Sequence, residues 1–339
     1  MGPFSKKRVI CAVAGLLLVA LVVLVIGTAL FLTRPAQKGG QEQVLVVKEG
    51  WSLRDVAGEL QKKDIITNKA LFMFWARVKG YDRSLRAGEY RLSSGMSPIR
   101  IMEKLARGEI LTHAVTIPEG FTKEQIGELL EKKGILEKQE FLVLAGNREL
   151  LQAYGLSGPS FEGYLYPDTY HFARGSSAKM VISTMVHRFQ TVFEPLKARM
   201  EAVGMSQAEV VILASIVEKE TGLAKERPLI ASVFLNRLRR KMRLASDPTV
   251  IYGIKDFDGN LTRKDLEEKT PYNTYVNYGL PPGPIANPGL DSIRAVLFPA
   301  ETDYLYFVSK NDGSHRFSRT LAEHNRAVAT YQKKRRSSR

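Results

Sequence analysis

The chain has one cysteine, Cys11, and only five histidines in 339 residues. A single cysteine excludes an internal disulfide framework, and Cys11 lies in an apolar run where it reads as a small hydrophobe. The histidines are scattered, with no His-x-x-x-His pair and no cysteine ligands beside them. A zinc site is therefore not expected, and no metal or cofactor is implied. There is no G-x-x-x-x-G-K-[ST], no G-x-G-x-x-G and no Gly-x-Ser-x-Gly elbow. Ser176-Ser-Ala-Lys179 spells Ser-x-x-Lys, but no Lys-Thr-Gly accompanies it and its setting reads as a helix cap. Acidic residues are also in deficit, 35 against 50 lysines and arginines, a net charge of +15. That balance suits nucleic acid, anionic lipid or an anionic polymer such as bacterial wall material, and charge alone does not choose among them.

The N-terminus narrows the choice. Residues 9–32 are uncharged, and about 24 residues at ~1.5 Å each suffice to cross a ~30 Å hydrocarbon core. Lys6, Lys7 and Arg8 precede the run and keep residues 1–8 cytoplasmic by the positive-inside rule. The run is longer than the apolar core of a cleaved signal peptide, so it reads as an anchor in the plasma membrane. Everything after it then lies on the extracytoplasmic side, which removes a genomic nucleic-acid partner.

Residues 33–43 are polar and read as a tether. Beyond them the sequence repeats itself. Val46-Val-Lys-Glu-Gly-Trp-Ser-Leu-Arg-Asp-Val-Ala-Gly-Glu-Leu-Gln-Lys-Lys-Asp-Ile-Ile66 matches Thr116-Ile-Pro-Glu-Gly-Phe-Thr-Lys-Glu-Gln-Ile-Gly-Glu-Leu-Leu-Glu-Lys-Lys-Gly-Ile-Leu136 without a gap. A shorter copy runs from Tyr90 to Leu105. Each spells a short strand, a glycine turn, a large apolar residue (Trp51, Met96, Phe121), a cap (Ser52, Ser97, Thr122) and a helical apolar stripe. The turn resembles that of LysM modules, which bind N-acetylhexosamine strands. The same units would serve equally well as packing modules.

Two further stretches carry candidate chemistry. In Phe161-Glu-Gly-Tyr-Leu-Tyr-Pro-Asp-Thr-Tyr-His-Phe172, Glu162 precedes Tyr164, Tyr166 and Tyr170. Exposed tyrosines of this kind stack on sugar rings, and a packed aromatic strand has the same pattern. Residues 206–222 form a capped apolar helix that begins with a Ser206/Glu209 box, is stopped by Gly222, and delivers Glu218 and Glu220 at its end. Two residues on a helix lie about 200° apart, so the two carboxyls face different surroundings. Glu218, one turn below Ala214 and Ser215, is the candidate general acid. Glu220 is expected to form a structural salt bridge. The loops beyond residue 243, polar and irregular on a helical scaffold, are where a groove would be built.

Taken together and in order, several stretches resemble the MltG (YceG-like) family of endolytic murein transglycosylases. They are Glu162–Tyr170, Ala214–Thr221, Ala231–Leu238, Ser246–Tyr252, Tyr272–Tyr275, Gly279–Gly283 and Leu305–Val308. The resemblance implies an α+β chain with an N-terminal transmembrane helix (9–32), a LysM-like region (44–112) and a repeat-containing connecting region (113–158). A catalytic domain with a lysozyme-like glycan cleft (159–332) and a basic tail (333–339) follow. It implies a lyase that cuts the β-1,4 bond between N-acetylmuramic acid and N-acetylglucosamine in nascent peptidoglycan and leaves 1,6-anhydro ends. The family's catalytic glutamate falls on Glu218. Peptidoglycan strands are the implied partner, with the synthases nearby. Asp247, Thr249, Tyr252, Tyr272, Asn273, Thr274 and Tyr275 are the expected cleft wall, with Glu162, Tyr164, Tyr166 and Glu220 as further candidates. A lysozyme-like hydrolase and a wall-binding scaffold remain alternatives.

Overall fold

The computed structural model describes residues 3–333; most of the basic tail, from residue 334, lies outside them. The chain is mixed α and β and divides into two compact units, Met1–His113 and Ala114–Arg339.

The first unit opens with a helix, Pro3–Thr33, whose stretch Arg8–Thr33 is long and apolar enough to cross a membrane. Its valines, leucines and isoleucines are exposed around most of the cylinder, which costs free energy in water and none in hydrocarbon. Next come β1 (Glu42–Val47), two helices (Leu53–Lys62 and Lys69–Val78) and β2 (Gly88–Ser93), antiparallel to β1 with Leu45 opposite Tyr90. Alternation sorts the strand faces: Leu45, Val47, Tyr90 and Leu92 are buried, whereas Val44 and Val46 are exposed. The helices bring Val56, Leu60 and Phe72 to the same core. A fourth helix, Pro98–Arg107, belongs to the shortest repeat; its Ser97 takes N-cap geometry without a side-chain capping bond, and Pro98 occupies the first turn.

The second unit begins with the other long copy. β3 (His113–Thr116) leads to the helices Lys123–Lys132, Lys138–Ala145 and Arg148–Ala153, and β4 (Thr169–Phe172) pairs with β3. Residues 115–156 share one core with the rest of the unit, so the stretch set apart as a connecting region is part of that body. The helix Gln207–Glu220 runs through this core with every residue from Val210 to Val217 buried. Its start is the expected capping box, the Ser206 side chain accepting from the Glu209 N–H while the Glu209 carboxylate accepts from Ser206. Its end differs from expectation: Thr221 leaves the helix in an extended conformation (φ −149°, ψ 138°), so Gly222 is not needed as a left-handed stop. The Thr221 hydroxyl then accepts from the Leu223 N–H. Arg227–Arg239, Asp247–Gly253 and Leu290–Leu297 are the helices packed nearby. A hairpin of β5 (Tyr306–Ser309) and β6 (His315–Ser318) turns at Asn311 and Gly313, both at positive φ, and the helix Leu321–Val328 follows.

Candidate active site

The end of the Gln207–Glu220 helix sends its two glutamates to different places. Glu218 is fixed by two donors: Arg227 Nη2 at 2.9 Å from one carboxylate oxygen and the Gly289 N–H at 3.0 Å from the other. Its side chain is only 6% exposed and that of Arg227 9%. The same guanidinium meets Glu119 at 3.4 Å and Asp291 at 3.5 Å. Burial and the neighbouring Glu218 charge raise the Glu119 carboxyl above its ordinary value. Gly120, at φ +74°, lets the backbone pass against Glu218, and Lys219 Nζ donates to the Gly120 carbonyl. Glu218 thus ties the helix end to the start of the helix Arg227–Arg239 and to the backbone at Gly289.

Glu220 faces a cavity of about 570 Å³, lined also by Arg237, Asp247, Tyr275, Tyr306, His315 and His324. Its one hydrogen-bond partner among the described residues is Ser246, whose hydroxyl donates at 2.5 Å. Among the described residues no cation comes within salt-bridge distance to complete the pair expected for it. Burial pushes the Glu220 carboxyl up to about 7, with the Asp247 charge adding to the rise and the Ser246 bond and Arg237 opposing it. A carboxyl whose neutral form is favoured by burial and which opens on a cavity has what a general acid needs.

The motif residues after 243 divide into lining and framework. Asp247 and Tyr275 line the cavity, joined by a hydrogen bond from the tyrosine hydroxyl to the aspartate. Thr249, Asn273 and Thr274 are buried behind it. The Thr274 hydroxyl accepts from the Ser246 N–H and pairs with the Thr249 hydroxyl at 2.8 Å. Asn273 donates to the carbonyls of Asp265, Leu266 and Glu268 and accepts from the Tyr275 N–H. These three hold Ser246 and Tyr275 in place instead of presenting themselves to a ligand.

Glu162, Tyr252 and Tyr272 form a separate cluster, and none of them lines the Glu220 cavity. Glu162, 1% exposed, accepts from the Lys123 N–H at 3.0 Å, Asn287 Nδ2 at 2.8 Å and the Tyr252 hydroxyl at 3.1 Å. Burial lifts its carboxyl to about 7, against the pull of the Lys123 charge. The Tyr252 and Tyr272 rings lie 4.8 Å apart. The open aromatic platform expected of Tyr164 and Tyr166 is not there. Tyr164 is fully buried, donates to the Ser157 carbonyl and meets Phe189 edge-on; Tyr166 is buried under Arg188. Alternation alone did not distinguish a stacking surface from a core strand.

Sequence reasoning missed Arg237, Glu226 and His315, as well as Glu119, Arg227, Asn287 and Asp291 around the other carboxylates. Their partners lie at distant positions in the chain, as with Glu226 and His315, and nothing local marks them. Among the described residues no group of three or more histidine, cysteine, aspartate or glutamate side chains is placed to hold a metal ion.

Comparison with known proteins supplies independent findings. Residues 45–330 match the YceG-like family. The chain is similar to an endolytic murein transglycosylase of Bacillus subtilis, 33% identical over 88% of both chains. It is similar also to the endolytic murein transglycosylase of Streptococcus pneumoniae, at 29% identity over 88% of this chain; there it spans 60% of the relative's length. The crystal structure of a YceG-like protein from Listeria monocytogenes is similar over 85% of this chain and all of that one, with 35% identity and a TM-score of 0.59.

Proposed function

The chain belongs to the YceG-like family, and from that premise we propose that it is a membrane-anchored endolytic murein transglycosylase. The observation that carries the reading is Glu220, a desolvated carboxyl lifted to about 7 at the edge of a cavity large enough for a sugar ring and its neighbour. Glu220 protonates the glycosidic oxygen between N-acetylmuramic acid and N-acetylglucosamine. The C6 hydroxyl of the muramyl unit closes on C1, its proton returns to a base, and a 1,6-anhydro end is left. No water is consumed. One carboxyl suffices as acid and then base, in contrast with the two of ordinary glycosidases.

The sequence motifs give this role to Glu218, and Glu220 is our choice on geometry. Both oxygens of Glu218 are taken up, one by a buried guanidinium and one by a backbone N–H, and the side chain does not line the cavity that Glu220 faces. Glu218 is then a strut that sets the helix end from which Glu220 projects. Asp247, Tyr275 and Arg237 are the proposed sugar-facing groups.

The helix at residues 9–32 is proposed to anchor the protein in the plasma membrane, with the short basic N-terminus cytoplasmic and the rest on the side where wall polymer is made. The strand–helix–helix–strand order of the first unit supports a LysM-like module that holds glycan, and the synthases are the neighbours such an enzyme would need. The test is to incubate the full-length protein in detergent with uncrosslinked glycan strands and weigh the products. Anhydro-muramyl ends are expected; reducing muramyl ends would make it a hydrolase, and binding without cleavage would make it a scaffold.

A further inference from the structure

The cavity that holds Glu220 also holds a second proton-handling group. His315, on β6, is gripped by Glu226: its backbone N–H donates to one carboxylate oxygen at 3.1 Å, and its Nδ1 lies 2.7 Å from the other. Glu226 is buried, and the His315 side chain is 12% exposed. Phe307 packs edge-on against the imidazole, with ring centroids 5.5 Å apart, and Phe307 and His315 both line the cavity with Glu220. A carboxylate only accepts, so it keeps a proton on Nδ1 and leaves the lone pair of the neutral ring on Nε2. A buried carboxylate that orients an imidazole in the wall of a cavity is the arrangement by which a histidine becomes a directed base. Glu226 follows the catalytic helix by one short turn, Ala224–Glu226, and β6 comes from the far end of the chain. Two elements far apart in the sequence thus meet to hold His315 at the cavity, with Glu226 behind it.

We propose that His315, oriented by Glu226, accepts the proton of the muramyl C6 hydroxyl as that oxygen attacks C1. This rests on the reading of Glu220 as the acid. In the step, the O6–C1 bond forms and the bond from C1 to the leaving oxygen breaks. The proton of O6 goes to His315 Nε2, and the proton of Glu220 goes to the leaving oxygen. Glu220 ends as carboxylate and His315 as imidazolium, and one proton passed between them, directly or through water, restores both. With the base distinct from the acid, removal of the O6 proton and protonation of the leaving oxygen can occur in the same step.

The experiment uses the full-length protein in detergent with uncrosslinked glycan strands and counts anhydro ends. H315N retains an amide donor for Glu226 and removes the second ring nitrogen. Its turnover is expected to fall by about a hundredfold, the scale of one general base, with its melting temperature close to wild type. H315A is expected to be as slow and to be accelerated several-fold by added imidazole, a response that a packing role would not give and that E220Q should lack. Wild-type turnover in H315N, or a slow H315A indifferent to imidazole, overturns the proposal. An inactive E220Q beside a fully active H315N removes this inference alone. A fully active E220Q removes the reading beneath it.

Discussion

The two long copies of the internal repeat follow the same local rules and come to different ends. Ser52 and Thr122 cap their helices with the same backbone angles, φ −82° and ψ 164°, and each closes a capping box with the residue three positions on. Gly50 and Gly120 both take positive φ, 78° and 74°. Each helix runs ten residues, Leu53–Lys62 and Lys123–Lys132. Local sequence settles all of this. The difference lies in what meets the turn. Open space surrounds Gly50, whereas Glu218 packs at Gly120. Leu53 goes into a hydrophobic core, but Lys123, its counterpart, offers its N–H to the buried Glu162. One copy is a small module built round its own core, and the other has become the frame of a carboxylate-bearing site. A repeat can be recruited to a site by changing a few residues at the turn without altering the turn.

The comparison can be broken most forcefully at Glu162. E162A strands Asn287, the Tyr252 hydroxyl and a helix N–H in a dry interior, and is expected to cost about 3–5 kcal/mol in the second unit. Both tryptophans, Trp51 and Trp75, belong to the first unit, so their fluorescence should report that unit melting as in wild type while circular dichroism records the loss.

The second effect is on pH dependence. The Glu162 carboxyl is lifted from 4.5 to about 7 in the folded protein, so the native state binds more protons than the unfolded one between those values. Stability from this group is present below about 4.5 and is lost as pH rises towards 7, by up to about 3 kcal/mol. The isosteric E162Q should flatten that decline in denaturant titrations at several pH values; an unchanged slope would mean that the carboxylate is ionised throughout.

A smaller effect distinguishes the copies at their helix ends. The second residue past each helix is left-handed, Asp64 at φ 53° and Gly134 at φ 67°. G134A should cost about 1–2 kcal/mol and D64G should gain about 0.5–1, since only glycine takes that region without strain. Smallest and most alike are the caps: S52A and T122A are each expected to cost about 1 kcal/mol in their own unit. A large inequality between them would show that the shared angles conceal different dependence on the cap.

What was legible in the sequence follows the same division between local and distant. The repeats, caps, hairpin turn and apolar anchor are written within a few residues of where they act. The α+β class and the ordered family motifs were legible too, and so was the opposite facing of Glu218 and Glu220. Helical phase says that two residues diverge, not which of them meets a cation. The partner of Glu218 is Arg227 in the next helix, and the cavity before Glu220 is closed by β5, β6 and the last helix, contributed from residues 306–332. Tyr164 and Tyr166 were ambiguous for a related reason: they lie in the turn and loop before β4, and buried aromatics and a sugar platform share a pattern until the covering helix, Ala178–Phe193, is in place.

The central claim is that Glu220, and not Glu218, is the acid. The most direct measurement compares the rate at which E220Q and E218Q release anhydro-muramyl ends from uncrosslinked glycan. The account expects E220Q to be inactive at every pH and E218Q, with its amide still able to meet the Gly289 N–H, to retain measurable turnover at reduced stability. An active E220Q beside a dead, fully folded E218Q would contradict it.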